Sequence, residues 1–401
     1  MIKNYFAVLF VLCVLSSCQS VSDKETTSDF TVEPEIIPLS DFISLEVPEV
    51  KCKDLTKVSD DRHEEYQTVF NELFSKSGCL AGMSAALINA DGNFIELFKG
   101  YIDSKKKIPV CEDSMFYSGS TGKMITSVII FSLIEKGELK LNDRVTRYFP
   151  EYELLESVTI DHLLSHRSGI VNFTIIKEYD QNKNRYHTEK ELVDLALDAE
   201  QNLLFEPGGS LHYCNTGYVL LGMIAQKASG QTMSELFDII KVKCGLKKSC
   251  YNTDKNSYAG MFDSFDVKGD TVTAGHYHYE HPANAHAAGA FSVNSFEAVL
   301  FLRSLFAGKI VSKDTLNTML GDFAHAGSDS NSDVYYGRGF HLIRLKVSNR
   351  ADYIGHDGSL SGQKAMLYHC VQLDKTVSVL TNQNITTDPV MFRLAEYEPA
   401  K

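Results

Sequence analysis

From Asp61 to about Lys76 the apolar residues Tyr66, Val69, Phe70 and Leu73 recur at helical spacing, which predicts a helix with one face on a core. The stretch "MSAALINADGNFIELFKGYID" then alternates on either side of Asp91-Gly92, predicting two strands joined by a tight turn. Next comes "MITSVIIFSLIEKG", apolar on nearly every side and ending at Gly137, which predicts a centrally buried helix with glycine at its C-terminal end. Residues 138 to about 250 read as helices and loops, with turn chemistry at Pro207-Gly208-Gly209. Strand-like alternation returns in "GFHLIRLKV", "ADYIGH", "KAMLYHCVQL" and "KTVSVLTNQN". Strands at both ends of the chain, with helices between, predict an antiparallel sheet assembled from N- and C-terminal segments and a mostly helical insertion lobe. No internal repeat is visible.

The beginning of the chain changes the picture. Lys3 precedes the apolar run "YFAVLFVLCVL", too short to span a bilayer in the mature protein, and Leu15-Ser16-Ser17-Cys18 follows. This resembles a bacterial lipobox: residues 1–17 would be removed and Cys18 acylated. An ordinary secretory signal cut nearby is the alternative, and either one implies work outside the cytoplasm. Gln19 after the cysteine resembles the sorting signal for an outer membrane, facing the periplasm. Residues from Gln19 to about Pro38 are rich in Ser, Thr, Asp and Glu, so residues 18–45 are expected to be anchor and flexible tether. The folded domain is expected over 46–395.

A formal net charge of −13 argues against nucleic acid as a partner. The run Lys105-Lys106-Lys107 reads as a solvated turn. Beyond Cys13 and Cys18, seven cysteines remain without any Cys-x-x-Cys pair, which speaks against a structural zinc. Cys244 and Cys250 are close enough in sequence to form a disulfide, and burial as thiols is the other reading.

The candidate chemistry lies in "FYSGSTGK", residues 116–123, just before the buried helix. A phosphate-binding loop would need glycine where Tyr117 stands and a hydroxyl where Met124 stands. The other reading is Ser-x-x-Lys. Ser120 and Lys123, three apart on a helix, lie within mutual reach. Serine needs an adjacent base, which a desolvated lysine can supply, and the helix start points N–H groups at developing negative charge. Ser104/Lys107 and Ser361/Lys364 repeat the spacing, the first in a charged turn and the second in a segment read as strand. Downstream, Tyr213-Cys214-Asn215 is the one Tyr-x-Asn of the chain, and His356-Asp357-Gly358 follows strand-like sequence. Asn215 could instead cap the helix that follows it. The rival His325-Ala326-Gly327 sits in "GDFAHAGSDSNSD", a loop composition. The histidines of "GHYHYEHPANAH" and the pair His162/His166 invite a metal reading. The first stretch has few carboxylates and the second lacks the glutamate of a zincin, so both read as structural.

Ser-x-x-Lys, Tyr-x-Asn and His-x-Gly, in that order, resemble the serine penicillin-recognising hydrolases. The nearer likeness is the branch holding class C β-lactamases, DD-carboxypeptidases and esterases. "LIEKGELKLNDRVTRYFPEY", "VTIDHLLSHRSGI", "FEPGGSLHYCNTGYVLLGMIAQKASG", "AAGAFSVNSFEAVLFLRSL", "YGRGFHL" and "GHDGSLSGQKAM" extend it over most of residues 80–385. The resemblance implies an α/β, β-lactamase/transpeptidase-like fold, and a Ser120 acyl-enzyme with no metal or organic cofactor. Lys123 would activate Ser120, Tyr213 would carry the proton to the leaving group, and Asn215 would orient substrate and Lys123. His356 and Gly358 would line the cleft, and the backbone N–H groups of Ser120 and Ser359 would form the oxyanion hole. The implied substrate is a small or peptidoglycan-derived peptide, amide or ester, in the manner of a D-Ala-D-Ala carboxypeptidase or an esterase. A β-lactamase and a non-catalytic surface-binding lipoprotein are the alternatives. His356 in place of Lys departs from class C β-lactamases. Asp357, if it faces the cleft, would repel a substrate carboxylate.

Overall fold

The computed structural model describes residues 36–399 apart from 40–41, 51–53, 104–106, 201, 256–263, 269–270, 276–279 and 347–350. The signal segment, Cys18, most of the tether, Cys52, Ser104, His276 and His278 lie outside the described residues.

A long sheet organises the molecule. Its strands are β1 (Phe42–Ile43), β2 (Gly82–Ile88), β3 (Asn93–Asp103), β4 (Phe323–Ser328), β5 (Ser332–Tyr336), β6 (His341–Leu345), β7 (Asp352–Leu360), β8 (Gln363–Cys370) and β9 (Lys375–Thr381). They lie in the order β1-β4-β5-β6-β7-β8-β9-β2-β3, each antiparallel to the next, and two further short strands pair with β3, Thr56–Lys57 parallel to it and Ile108–Pro109 antiparallel. The N-terminal hairpin β2–β3 thus pairs with the last strand of the chain, as the alternation at both ends predicts. Gly92, at φ +79°, closes that hairpin in a backbone conformation that glycine adopts without strain.

One face of the sheet is covered by α1 (Asp60–Lys76) and the C-terminal helix Asp388–Glu396, which bury Tyr66, Phe70, Val390 and Phe392 with Tyr353 and Met366. Asp60 and Asp61 open α1 and Lys76 closes it, each charge opposing the helix dipole. The other face carries α2 (Gly122–Glu135), buried at every position from Gly122 to Phe131. Around it pack α3 (Ile160–Leu164), α4 (Glu189–Leu197), α5 (Asn215–Ser229), α6 (Met233–Cys244) and α7 (Ser295–Phe306). Gly137 ends α2 at φ +78°. The C-terminal helix is α8. The mostly helical middle of the chain is therefore an insertion between strands of one sheet.

Two expectations are corrected. The tether was expected to run to residue 45, yet Ile37–Pro38 pairs with Ser210–Leu211, and β1 pairs with β4. Ile37 and Leu39 pack against Leu211 and Tyr213, and Ile43 and Leu45 reach the main core. These apolar residues come in runs of one or two, too short for a strand's alternation to show. "GDFAHAGSDSNSD", read as loop, holds the hairpin β4–β5. Only Asp329–Asn331 turns, with the Asp329 carboxylate accepting from the N–H groups of Asn331 (2.7 Å) and Ser332 (2.6 Å). Separately, Ser361 stands in the turn between β7 and β8 rather than in a strand. Cys79, Cys111, Cys214 and Cys370 carry free thiols.

Candidate active site

The strand Phe116–Tyr117 pairs with Phe291–Val293 and delivers the chain into a 3₁₀ turn, Gly119–Thr121, directly ahead of α2. The turn is held through its backbone. Ser118 N donates to Phe291 O (2.8 Å), Ser118 Oγ to Gly289 O (3.1 Å) and Thr121 Oγ1 to Ser118 O (2.9 Å). One turn into α2, Thr126 Oγ1 donates to Ala287 O at 2.6 Å. Ser120 therefore sits on a rigid platform.

Three side chains converge on Ser120 Oγ or on its partner. Lys123 Nζ lies 3.1 Å from Ser120 Oγ and donates to Asn215 Oδ1 (2.7 Å) and to Ala288 O (2.9 Å). Tyr213 OH donates to Ser120 Oγ at 2.7 Å. Two of the three acceptors around Lys123 can only accept, whereas the serine hydroxyl can also give a proton. An uncharged amine satisfies all three, with its lone pair on Ser120 Oγ. Lys123 is 0% exposed, its Nζ 4.8 Å from the centre of the Tyr213 ring and 5.4 Å from that of Tyr218. Asn215 is the first residue of α5, and the capping position belongs to Cys214, which makes no side-chain cap bond. The Asn215 side chain goes to Lys123 instead of the helix end.

Opposite the turn runs β7, so close that glycine is needed on both sides. A Cβ on Gly358 would fall 2.7 Å from Ser120 N, and one on Gly119, at φ +50°, would fall 2.7 Å from Ser359 N. This approach brings the backbone N–H groups of Ser120 and Ser359 to one place.

The wall behind Tyr213 is made of buried imidazoles. His356 Nδ1–H donates to the backbone oxygen of Asp357, and its ring lies 3.6 Å from that of His341, centre to centre. His341 Nδ1–H meets Asp357 Oδ1 at 3.2 Å. Burial holds both histidines below the usual value, against the pull of Asp357. Burial pushes the Asp357 carboxyl up, but the hydrogen bond from His341 outweighs it and holds the carboxyl below the carboxylate range. An ionised Asp357 facing neutral imidazoles accounts for both directions. The donor atoms of His341, His356 and Asp357 lie within 4.8 Å of one another, the one such group among the described residues. Along β7, Asp357 shares a side with Tyr353, whose ring packs on Phe392 of α8 (4.9 Å), while His356 falls on the other side.

Ser120, Lys123, Tyr213, Asn215, His356, Gly358 and Ser359 are thus gathered in one region. The rival His325 is not; it lies on β4, with Nε2 2.8 Å from Ser328 Oγ, and is half-buried. His162 completes the capping box at the start of α3, its Nδ1 accepting from the N–H of the N-cap residue Thr159 at 3.3 Å. His281 caps the next turn through Ala283 N, and His286 Nε2–H donates to His187 O (2.8 Å). Sequence reasoning missed Ala288 O, which as a backbone group leaves no residue signature. It also missed His341 and His166, although "YGRGFHL" and "LLSHRSGI" contain them.

The family profile described as Beta-lactamase matches residues 70–396. Penicillin-binding protein 4* of Bacillus subtilis (strain 168) is 25% identical over 350 residues, covering 82% of this chain and 73% of that protein. Penicillin-binding protein 4 of Amycolatopsis lactamdurans is 32% identical over 195 residues, covering 47% of this chain and 49% of the relative. Among solved structures, D-amino acid amidase from Ochrobactrum anthropi SV3, complexed with L-phenylalanine amide, superposes with a TM-score of 0.71. That match has 24% identity and covers 81% of this chain and 92% of the amidase. It shows the fold.

Proposed function

The chain belongs to the beta-lactamase family of serine hydrolases, and on that premise we propose that Ser120 forms an acyl-enzyme with a peptide, amide or ester. The reading favours D-Ala-D-Ala carboxypeptidase-like or esterase-like chemistry. The observation that carries it is Ser120 Oγ held between Lys123 Nζ at 3.1 Å and Tyr213 OH at 2.7 Å. Relatives named as penicillin-binding proteins and a structural neighbour named as an amidase support amide-type substrates.

The steps follow from the contacts. Ser120 Oγ attacks the substrate carbonyl carbon while its proton passes to Lys123 Nζ. The carbonyl oxygen, now negative, is received by the N–H groups of Ser120 and Ser359. As the bond to the leaving group breaks, Tyr213 gives that group its proton and is reprotonated from Lys123. Water then adds to the acyl carbon, giving up a proton along the same path, and Ser120 departs with its hydrogen restored. Asn215 fixes Lys123 throughout, and His356 and Gly358 line the cleft.

The site is intact at Ser120, Lys123, Tyr213 and His356, which weighs against a retired fold that only binds. His356 at the third motif weighs against a β-lactamase. The lipobox-like segment supports an anchor at Cys18 and work outside the cytoplasm; among the described residues no helix is long and apolar enough to cross a membrane. Mass spectrometry after incubation with activated esters, D-amino-acid amides and penicillins tests the reading. One acyl adduct on Ser120, absent from Ser120→Ala and nearly absent from Lys123→Ala, is the expected result. An adduct on another residue, or undiminished turnover by Ser120→Ala, overturns it.

A further inference from the structure

We infer that His166 is a positioning residue that clamps Tyr213 in register with Ser120, an inference that rests on the proton-carrying role given to Tyr213. Three contacts from this one residue enclose the tyrosine. The His166 carbonyl accepts from His212 N (2.9 Å), and the His166 ring Nδ1 accepts from Cys214 N (3.1 Å). These are the peptide N–H groups of the residues immediately before and after Tyr213. Between them, the His166 ring lies over the Tyr213 ring, centres 4.4 Å apart and planes 30° from parallel. The backbone is pinned at both ends and the ring is held by its face, leaving the hydroxyl on Ser120 Oγ at 2.7 Å.

The conformation that allows this is unusual. The chain leaves α3 at Leu164, and His166 takes φ +58°, rare for a residue with a side chain. Such a conformation persists where the surroundings over-determine it, and it brings carbonyl and ring of one residue to the same short segment. The clamp also dictates the ring's protonation. Nδ1 accepts an N–H, so the proton of the neutral ring is on Nε2. A second proton would turn Nδ1 into a donor facing Cys214 N–H and release the segment. Burial, then nearby Lys123, hold His166 well below the usual histidine value, which keeps the acceptor available. The Nε2–H, in turn, is buried without a hydrogen-bond partner among the described residues. An apolar side chain filling the same space would avoid that cost but could not hold Cys214 N–H.

The test uses the whole protein and esters of graded leaving-group basicity, with kcat and KM read separately. His166→Gly takes the same backbone angle without strain and removes ring and acceptor. It is expected to lower kcat about 10²-fold with little change in KM, the scale of a misplaced catalytic group. The loss should grow as the leaving group becomes more basic, because Tyr213 supplies that group's proton. His166→Asn, which tolerates positive φ and offers Oδ1 to Cys214 N–H, should recover most of the loss. In a Tyr213→Phe background His166→Gly should cost little further, since no hydroxyl remains to position. Equal losses in both backgrounds, or Asn no better than Gly, overturn the inference. Should His166→Gly not fold, His166→Asn alone decides: a residual loss graded with leaving-group basicity supports the clamp, and an ungraded one overturns it. An undiminished Tyr213→Phe enzyme would overturn the role of Tyr213 itself, and the clamp with it.

Discussion

Gly358→Ala isolates the oxyanion hole, because it adds one methyl group where the nucleophile turn and β7 meet. The added Cβ would lie 2.3 Å from Ser118 O, 2.7 Å from Ser120 N and 2.9 Å from Thr121 N. All three are backbone atoms of the 3₁₀ turn and its entry, so no rotamer change relieves the clash. A carbon sits no closer than about 3.3 Å to a carbonyl oxygen, so strand and turn must part by about 1 Å. Overpacking of this kind costs about 1–3 kcal/mol of stability. The effect on rate is larger. Oxyanion donors work at roughly 2.7–3.1 Å from the developing charge, and losing one costs about 10²–10³ in kcat, or ~2.7–4 kcal/mol. A separation of this size between Ser120 N–H and Ser359 N–H amounts to that loss. Single-turnover acylation by a nitrophenyl ester, read beside a thermal melt, measures both effects. Gly217→Ala on α5 serves as control, since its nearest neighbour would be 3.5 Å away in ordinary contact. Acylation by a folded Gly358→Ala enzyme within about threefold of the parent, under 1 kcal/mol in barrier, would falsify the placement of the hole.

Asp357→Thr should leave the preference between carboxylate-bearing and neutral substrates within about threefold, because Asp357 is committed to His341. It should lower stability by about 1–3 kcal/mol by stranding the buried His341 Nδ1–H. A large gain for carboxylate-bearing substrates in competition kinetics would place Asp357 in the cleft after all. Acid should weaken the fold through its buried histidines. Burial pushes His286 down to about 4 and His369 down to about 3, whereas both are near 6.5 when unfolded. The unfolded chain therefore binds protons first, stability is complete above about pH 6.5, and each residue removes about 1.4 kcal/mol per pH unit below it until its folded value is reached. Chemical denaturation from pH 7 to 5 should show this slope, less steep in His286→Gln. A midpoint that does not move over that range refutes the assignment.

The elements most legible in the sequence were those whose pattern serves a single packing purpose. α2 is apolar throughout because it is surrounded, and β2–β3 alternates around Asp91-Gly92 because the hairpin has two differently covered faces. Ser120 and Lys123 were legible through their spacing at the head of α2, and Tyr213 and Asn215 through a pairing that occurs once. The edge of the sheet was hidden, since Ile36-Ile37, Leu39 and Phe42-Ile43 come in runs of one or two broken by Pro38, Ser40 and Asp41, too short to show a strand's alternation. His166 was misleading for a geometric reason. Its four-residue spacing from His162 suggests one helical face, but α3 stops at Leu164, so His162 completes the capping box while His166 turns to Tyr213. Ala288 contributes only a carbonyl, which no side-chain pattern announces.

The neutral imidazoles bear on what the site can favour. His166, His341 and His356 all lie close enough to Lys123 to feel its charge, and each is held below the usual histidine value, chiefly by burial. Any proton that Lys123 carries is therefore the main positive charge in their midst, and it is the charge that moves during the reaction. A lysine at the position of His356, as in much of the family that the motifs resemble, would add a fixed cation beside Tyr213 and hold an anionic substrate group. His356 supplies a buried Nε2 with no hydrogen-bond partner among the described residues. Such an atom can accept a hydrogen bond but cannot pair with a carboxylate while neutral. The one carboxylate in this wall, Asp357, is already engaged by His341 Nδ1–H. On the proposed reading, both features weigh for its esterase-like arm and against its D-Ala-D-Ala carboxypeptidase-like arm, whose substrate ends in a carboxylate, because a buried carboxylate left without a cation or donors forfeits its hydration.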